Sequence, residues 1–208
     1  MIALCRSKRR ESTIMTSISP LNNVHLVGDH GNFKNKNPDE IINIKELKNF
    51  KIFQIVKFKK NKKNINDYKL SGLDFPDKLK VSENKDARIL WMGPNNWLII
   101  SNSSNLFQEI SKNLSNVEFA ITDLSHSKAI IELSGKSVKE VLKKGCPINF
   151  NDINKNESIN SIFNGIAITL DFINDKPDKI RVMCLRSFGE SLYHSITDAS
   201  LEFGYKAI

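Results

Sequence analysis

Residues 87–101, ARILWMGPNNWLIIS, hold two short apolar runs separated by Gly93-Pro94-Asn95-Asn96. Four turn formers in a row continue neither a strand nor a helix, so the chain must reverse there. The segment reads as a β-hairpin, which commits its sheet to antiparallel pairing. Other strand signals agree. FKIFQIVKF, 50–58, alternates apolar and polar residues at period two, and strands are expected at 117–123 and 127–133. GIAITLDFI, 165–173, and KIRVMCL, 179–185, are expected to pair through NDKPD.

Helical periodicity is confined to three places. Leu106, Phe107, Ile110 and Leu114 mark an amphipathic helix over 104–115. Gly135 ends a strand, and Ser137 with Glu140 forms a capping-box pattern opening a helix over 138–144, which stops at Gly145 and Pro147. Ser187 with Glu190 is a second such pattern. It opens a final helix whose stripe is Phe188, Leu192, Ile196, Ala199 and Phe203, with Glu190, His194, Asp198 and Glu202 opposite. Strands and helices mix without a βαβ repeat, so the fold class is α+β, with mostly antiparallel sheets and packed helices. Residues 1–45 read as a loosely ordered N-terminal arm and 46–208 as the folded domain, with 59–86 mostly polar and turn-like. Met15 is a second candidate start beside Met1.

No run of apolar residues is long enough to span a bilayer. The opening MIALCRSKRRESTIM has its apolar part before its basic part, the reverse of a secretion signal. With Cys5, Cys146 and Cys184 only, a reduced cytoplasmic protein without disulfides is expected. The net charge of +8 could serve nucleic acid, a membrane surface or an acidic partner. Lys, Asn and Ile are abundant along the whole chain, as AT-rich coding produces, and the one dense run, KFKKNKKN at 57–64, lacks interleaved aromatics. It reads as a solvated loop, with neither nucleic acid nor membrane as partner.

ITDLSHSKAIIELSG, 121–135, places Asp123, Ser125 and His126 within four positions. A catalytic triad needs a base in reach of the nucleophile and an acid behind that base. On a strand Asp123 and Ser125 share one face and His126 takes the other, and no G-x-S-x-G elbow is present. A turn-forming Asp/Ser pair between two strands is the expected role. Cys146 follows a helix C-terminus, where the dipole disfavours a thiolate despite Lys143 and Lys144, so a packed thiol is expected. His25, His30, His126 and His194 show no metal-ligand spacing with the cysteines, and no glycine-rich phosphate loop occurs. No catalytic, cofactor-binding or metal-binding residue is expected in this chain. Trp91 and Trp97 flank the hairpin turn and need not both point inward, so one of them could mark a contact surface.

Three segments taken together carry a resemblance: ILWMGPNNWLII (89–100), DLSHSKAIIELSGKSVKEVLKKGCPINF (123–150) and RVMCLRSFGESLYHSITDASLEFGY (181–205). The G-P-x-x-W hairpin, the L-S-G followed by K-G-C-P, and the R-S-F-x-E-S-L before a final helix resemble, in that order, the gamma subunit of heterotetrameric sarcosine oxidase. The DLSH…G portion is also similar to the folate-binding domain of the glycine-cleavage T-protein. The resemblance implies a T-protein-like fold and a structural or assembly role without an active site of its own. It implies a complex with alpha, beta and delta subunits that oxidatively demethylates sarcosine to glycine. FAD, FMN, NAD and tetrahydrofolate are expected in those partner subunits. Trp97, Arg186 and Phe188 fall in the matching motifs and are the candidate partner-contact residues. An alternative is a stand-alone tetrahydrofolate-binding protein of one-carbon metabolism or iron–sulfur enzyme maintenance. Its K-G-C motif is echoed by KKGCP, but there the Cys precedes an aromatic and then G-Q-E, where this chain has Pro147-Ile148-Asn149-Phe150.

Overall fold

The computed structural model describes residues 18–32, 37 and 40–208. In chain order the first strands are β1 (Gly28–His30), β2 (Ile42–Glu46), β3 (Lys51–Lys57), β4 (Lys69–Leu70), β5 (Leu73–Asp74), β6 (Val81–Glu83), β7 (Ala87–Gly93) and β8 (Asn96–Ser101). Then come α1 (Leu106–Asn113), β9 (Phe119–Asp123), β10 (Lys128–Ser134), α2 (Val138–Lys143), β11 (Ser158–Phe163), β12 (Ile166–Asp175), β13 (Asp178–Leu185), α3 (Gly189–Ser200) and β14 (Tyr205–Ala207). One sheet has seven strands in the order β1-β14-β2-β10-β13-β12-β11, antiparallel except for the β14–β2 pair. A second has five antiparallel strands, β6-β7-β8-β3-β9, and β4-β5 form a small ribbon. The α+β class with mostly antiparallel sheets is therefore as expected.

Strand periodicity explains the layering. Along β10, Ala129, Ile131 and Leu133 face α2 and α3, packing on Val138, Val141, Leu192 and Ile196, while Ile130 faces the other sheet. Along β8, Trp97 and Ile99 face α1, packing on Leu106 and Ile110, while Leu98 and Ile100 face the first sheet. Each sheet thus buries both faces, one under helices and one against its fellow. This is why the strands carry long apolar runs instead of clean alternation. The sheets meet over a small apolar patch of Ile52, Val81, Leu90, Leu98, Ile100, Ile130 and Met183.

The patch is completed by an ion pair. Arg88 of β7 donates from Nε and Nη2 to Asp171 of β12 at 3.0 and 2.7 Å, and its Nη1 pairs with Glu83 on the neighbouring strand. Asp171 is fully buried. Burial pushes its carboxyl above the ordinary value, against the pull of the Arg88 guanidinium.

Several expectations are corrected. The proposed boundary between residues 45 and 46 falls inside β2, and the arm contributes β1 and most of β2 to the larger sheet. Leu21, Ile42 and Ile44 are fully buried there. No periodic run is needed, because β2 lies between β14 and β10 and buries Ile42 and Ile44 there, while Leu21 packs onto the same core from the turn before β1. Residues 1–17, with Cys5 and Met15, lie outside the described residues. The polar segment 59–86 holds β4 to β6 and buries Leu70, Phe75 and Val81. Neither capping box forms a side-chain cap: Ser137 makes no cap hydrogen bond, and Ser187 sits in a 3-10 turn over Arg186–Phe188 before α3 begins at Gly189. A side chain at Gly189 would put its Cβ 3.0 Å from the Ala129 Cβ, so the first turn of α3 packs closely on β10 there. Phe188 lies outside the helical stripe, half-exposed, and Phe203 follows the helix. Gly135 does end β10, with φ at +136° and a would-be Cβ 3.0 Å from the Ile41 carbonyl oxygen.

Candidate functional site

The chain passes between the two sheets at residues 47–50, from β2 to β3, and at 124–127, from β9 to β10. The DLSHSK segment is the second of these crossings. Asp123 accepts the Ser125 N–H at 2.8 Å, and Leu124 accepts the Ser127 N–H at 2.9 Å, closing a turn. Ser125 Oγ accepts the Ile52 N–H at 3.0 Å, while the Leu124 N–H donates to Ile52 O at 2.8 Å. These bonds stitch the second crossing to the start of β3, just past the first crossing. The Asp/Ser pair thus organises backbone, as its turn chemistry suggests. Burial pushes the Asp123 carboxyl up, but the Ser125 hydroxyl and N–H, with Lys51 and His126 nearby, hold it below its ordinary value overall.

A cavity of about 320 Å³ opens between the crossings. Leu47, Phe50, Ile52 and Ile130 give it an apolar floor, and Lys48, Lys51, Lys128, Arg186 and His126 bring nitrogen to its walls. Ile18 to Pro20 close one side. That segment is anchored by Glu46, which is buried, accepts the Leu21 N–H at 3.1 Å and bonds the Ser19 hydroxyl. Arg186 donates to Ile18 O from its side chain, and its own N–H donates to Ser127 O at 2.9 Å. Next to the cavity, a shallower recess of about 680 Å³ runs past Leu185, Ser187 and Glu190. Ile18, Leu185 and Phe188 are exposed beside Arg186 at 62%, 49% and 49%.

The three candidate contact residues separate. Arg186 and Phe188 stand at this surface. Trp97 does not: it is 4% exposed, packs edge-on against Phe75 and donates its indole N–H to Pro76 O at 3.0 Å. It pairs directly opposite Trp91, so the two tryptophans share the α1 face instead of opposing faces. The extra residue at a bulge near Gly93 sets that register.

Cys146 and Cys184 are buried free thiols. Burial raises Cys146 from 9.0 to about 12 and Cys184 to about 11, the latter against the pull of Lys128. At neutral pH such thiols are protonated and poor nucleophiles. Among the described residues no group of His, Cys, Asp and Glu is arranged to hold a metal ion, and no helix is long and apolar enough to cross a membrane. Lys63 of the basic run is tied to Glu118 at 2.7 Å. Sequence reasoning missed the cavity, because its walls come from four separated segments and no local pattern joins them.

Two packed sheets stitched by cross-over turns make an α+β fold of the T-protein kind. A chain of the glycine cleavage system aminomethyltransferase T from Bartonella henselae shares the fold with a TM-score of 0.53 and 10% identity, over 75% of this chain and 45% of that one. A chain of the heterotetrameric sarcosine oxidase from Corynebacterium sp. U-96, in complex with pyrrole 2-carboxylate, matches with a TM-score of 0.76 and 19% identity. That match covers 90% of this chain and 96% of that one. The family model for "Sarcosine oxidase, gamma subunit family" matches residues 64–202, so the chain belongs to this family. The match includes most of the 59–86 segment that the sequence motifs left outside. Two curated relatives are both sarcosine oxidase subunit gamma, from Corynebacterium sp. strains P-1 and U-96. They are 27% identical over 123 residues and 25% identical over 118. Those alignments cover 58% and 55% of this chain, and about three fifths of the relatives, 60% and 57%.

Proposed function

We propose that this chain is a structural subunit, without an active site of its own, of a heterotetrameric sarcosine oxidase that oxidatively demethylates sarcosine to glycine. The observation that carries the reading is the fold match over nearly the full length of both chains to a member of such a complex. The family membership points the same way. Alpha, beta and delta subunits are the partners, and FAD, FMN, NAD and tetrahydrofolate reside in them. Local chemistry supports this division of labour. The one serine beside a histidine and an aspartate is committed to the Ile52 N–H. The conspicuous Cys146 is buried in the core as a neutral thiol. Two free buried thiols suit a reducing cytoplasm. The exposed apolar residues beside Arg186 and Phe188 give the chain a surface for a permanent neighbour.

Co-expression with candidate alpha, beta and delta subunits tests the reading. One stoichiometric complex with sarcosine-dependent oxygen uptake is expected, and leaving this chain out should abolish its assembly. Purified alone, the chain should show no flavin absorbance and no oxygen uptake. If it fails to join the complex and binds tetrahydrofolate saturably at micromolar levels, the stand-alone folate protein is the better reading.

A further inference from the structure

The cavity between the two crossings has an unusual charge balance for a protein rich in ion pairs. Elsewhere lysines find carboxylates: Lys63 with Glu118, Lys80 with Glu157, Lys139 with Asp178. Here four basic side chains, Lys48, Lys51, Lys128 and Arg186, line one space, and among the described residues no carboxylate lines it with them. The two nearest acids are already engaged. Glu46 uses one oxygen for Ser19 and the Leu21 N–H and pairs through the other with Lys48 at 3.1 Å, so Lys48 is the one lysine here with a partner among the described residues, and Asp123 is taken by Ser125. Lys128 lies half-buried, and among the described residues it has no ion-pair partner. Burial pulls its pKa down, the mark of a charge whose hydration has been removed without replacement. A cation in that position is unfavourable in the empty chain and becomes favourable when an anion arrives.

We propose that this cavity binds a ligand carrying two or more negative charges on carboxylate or phosphate groups, with a short apolar body against Leu47, Phe50, Ile52 and Ile130. A volume of about 320 Å³ fits a small ligand or the end of an acidic side-chain cluster. Arg186 offers a planar fork suited to either oxyanion, and the lysines act as point charges around it. His126, on the wall beside Ser125, adds a ring nitrogen. The same chemistry has two possible sources, a free small polyanion or carboxylates presented by a neighbouring subunit.

The test titrates the full-length chain, by calorimetry, with citrate and with pyrophosphate at low and at physiological salt. Saturable one-site binding is expected, weakening as salt rises. Lys128→Met and Arg186→Gln should each weaken it about tenfold, the worth of one charge-assisted hydrogen bond, while Lys128→Arg should retain it. Thermal melts accompany each variant; Lys128→Met removes an unpaired half-buried charge, so its melting temperature should not fall. Absence of saturable binding, or undiminished binding by folded Lys128→Met, would overturn the proposal and leave only a diffuse basic surface. The titration needs no partner, so it stands apart from the subunit reading. The double variant Lys128→Met with Arg186→Gln distinguishes the sources. If it folds alone but no longer assembles, the neighbour supplies the carboxylates. If it assembles and the complex has lost citrate binding, the ligand is free.

Discussion

Removing Arg88 should cost far more than removing Arg88 and Asp171 together. Asp171 is fully buried, and the hydrogen bonds to its side chain come from Arg88, at 3.0 and 2.7 Å. Arg88→Met strands that carboxylate between two sheets, so the loss is about 3–5 kcal/mol, the usual cost of breaking a buried pair. Asp171→Leu leaves a buried guanidinium that still holds Glu83, one third exposed, so the loss should be smaller, about 2–3 kcal/mol. In the double variant both buried charges are gone, and methionine and leucine fill similar space. Glu83 turns to water at little cost. The double variant should therefore lie within about 0–2 kcal/mol of the parent, a coupling of at least about 2 kcal/mol. Urea unfolding at neutral pH, with equal m-values across the set, measures the cycle. Additive losses, or a single-variant loss under about 1 kcal/mol, would refute the claim that this pair is desolvated. Because the pair is the main polar tie between β7 and β12, the cycle also measures how firmly the two sheets are joined.

Three further outcomes follow from the packing. Leu21→Ala should lower stability by about 2–5 kcal/mol in a denaturant melt, since its side chain is fully buried under Glu46 and Gly189. A loss near zero would mean that the arm does not pack. Asp123→Ala and Ser125→Ala should each cost about 1 kcal/mol of stability while leaving turnover per assembled complex within a few-fold. A loss of about a hundredfold with assembly intact would instead assign them acid–base work. Stability should also fall as the solution becomes alkaline. Cys146, Cys184 and Tyr193 have folded-state values raised by burial to about 12, about 11 and about 12, so the unfolded chain gives up these protons first. Their contribution is fully present below about 9 and is lost between there and about 12. Melting temperatures across that range check the sign, and Ellman's reagent at mildly alkaline pH should label neither buried thiol until the chain unfolds.

The elements legible in the sequence were those carrying their own period. β3, the β7–β8 hairpin, α1, β10, α2 and the β12–β13 pair stand within a few residues of expectation, because each repeats apolar residues at a spacing its own backbone imposes. β1, β2, β6 and β14 were not legible. They are three to five residues long and exist because a partner strand is present, as when Tyr205–Ala207 lies parallel to Ile42–Ile44. The capping boxes misled for a related reason. Ser187 lies in a 3-10 turn over Arg186–Phe188 that precedes the helix, where Gly189 packs closely on Ala129, and a cap is worth only about 1 kcal/mol. Of the candidate contact residues, Arg186 and Phe188 lie beside the exposed cluster next to the cavity, whereas Trp97 is buried in the α1 core against Phe75 and Pro76.

The crossings explain why a segment that looks reactive is not arranged as a relay. Where a chain leaves one sheet for another, both edges must stop pairing, and the freed backbone groups need partners. Short polar side chains that bond backbone at two residues' range supply them at least cost, which selects Asp123 and Ser125 at one crossing. The same geometry spreads the crossings apart and opens the cavity, because neither sheet can fill the space where its strands have turned away. Side chains lining such a gap are free of packing demands on their far ends. Lys48, Lys51, Lys128 and Arg186 occupy it with charge that the core could not hold. A turn made for folding and a recess made for binding are thus two consequences of one topological step. Substitutions at Asp123 should be read through stability, and substitutions at Lys128 through ligand affinity.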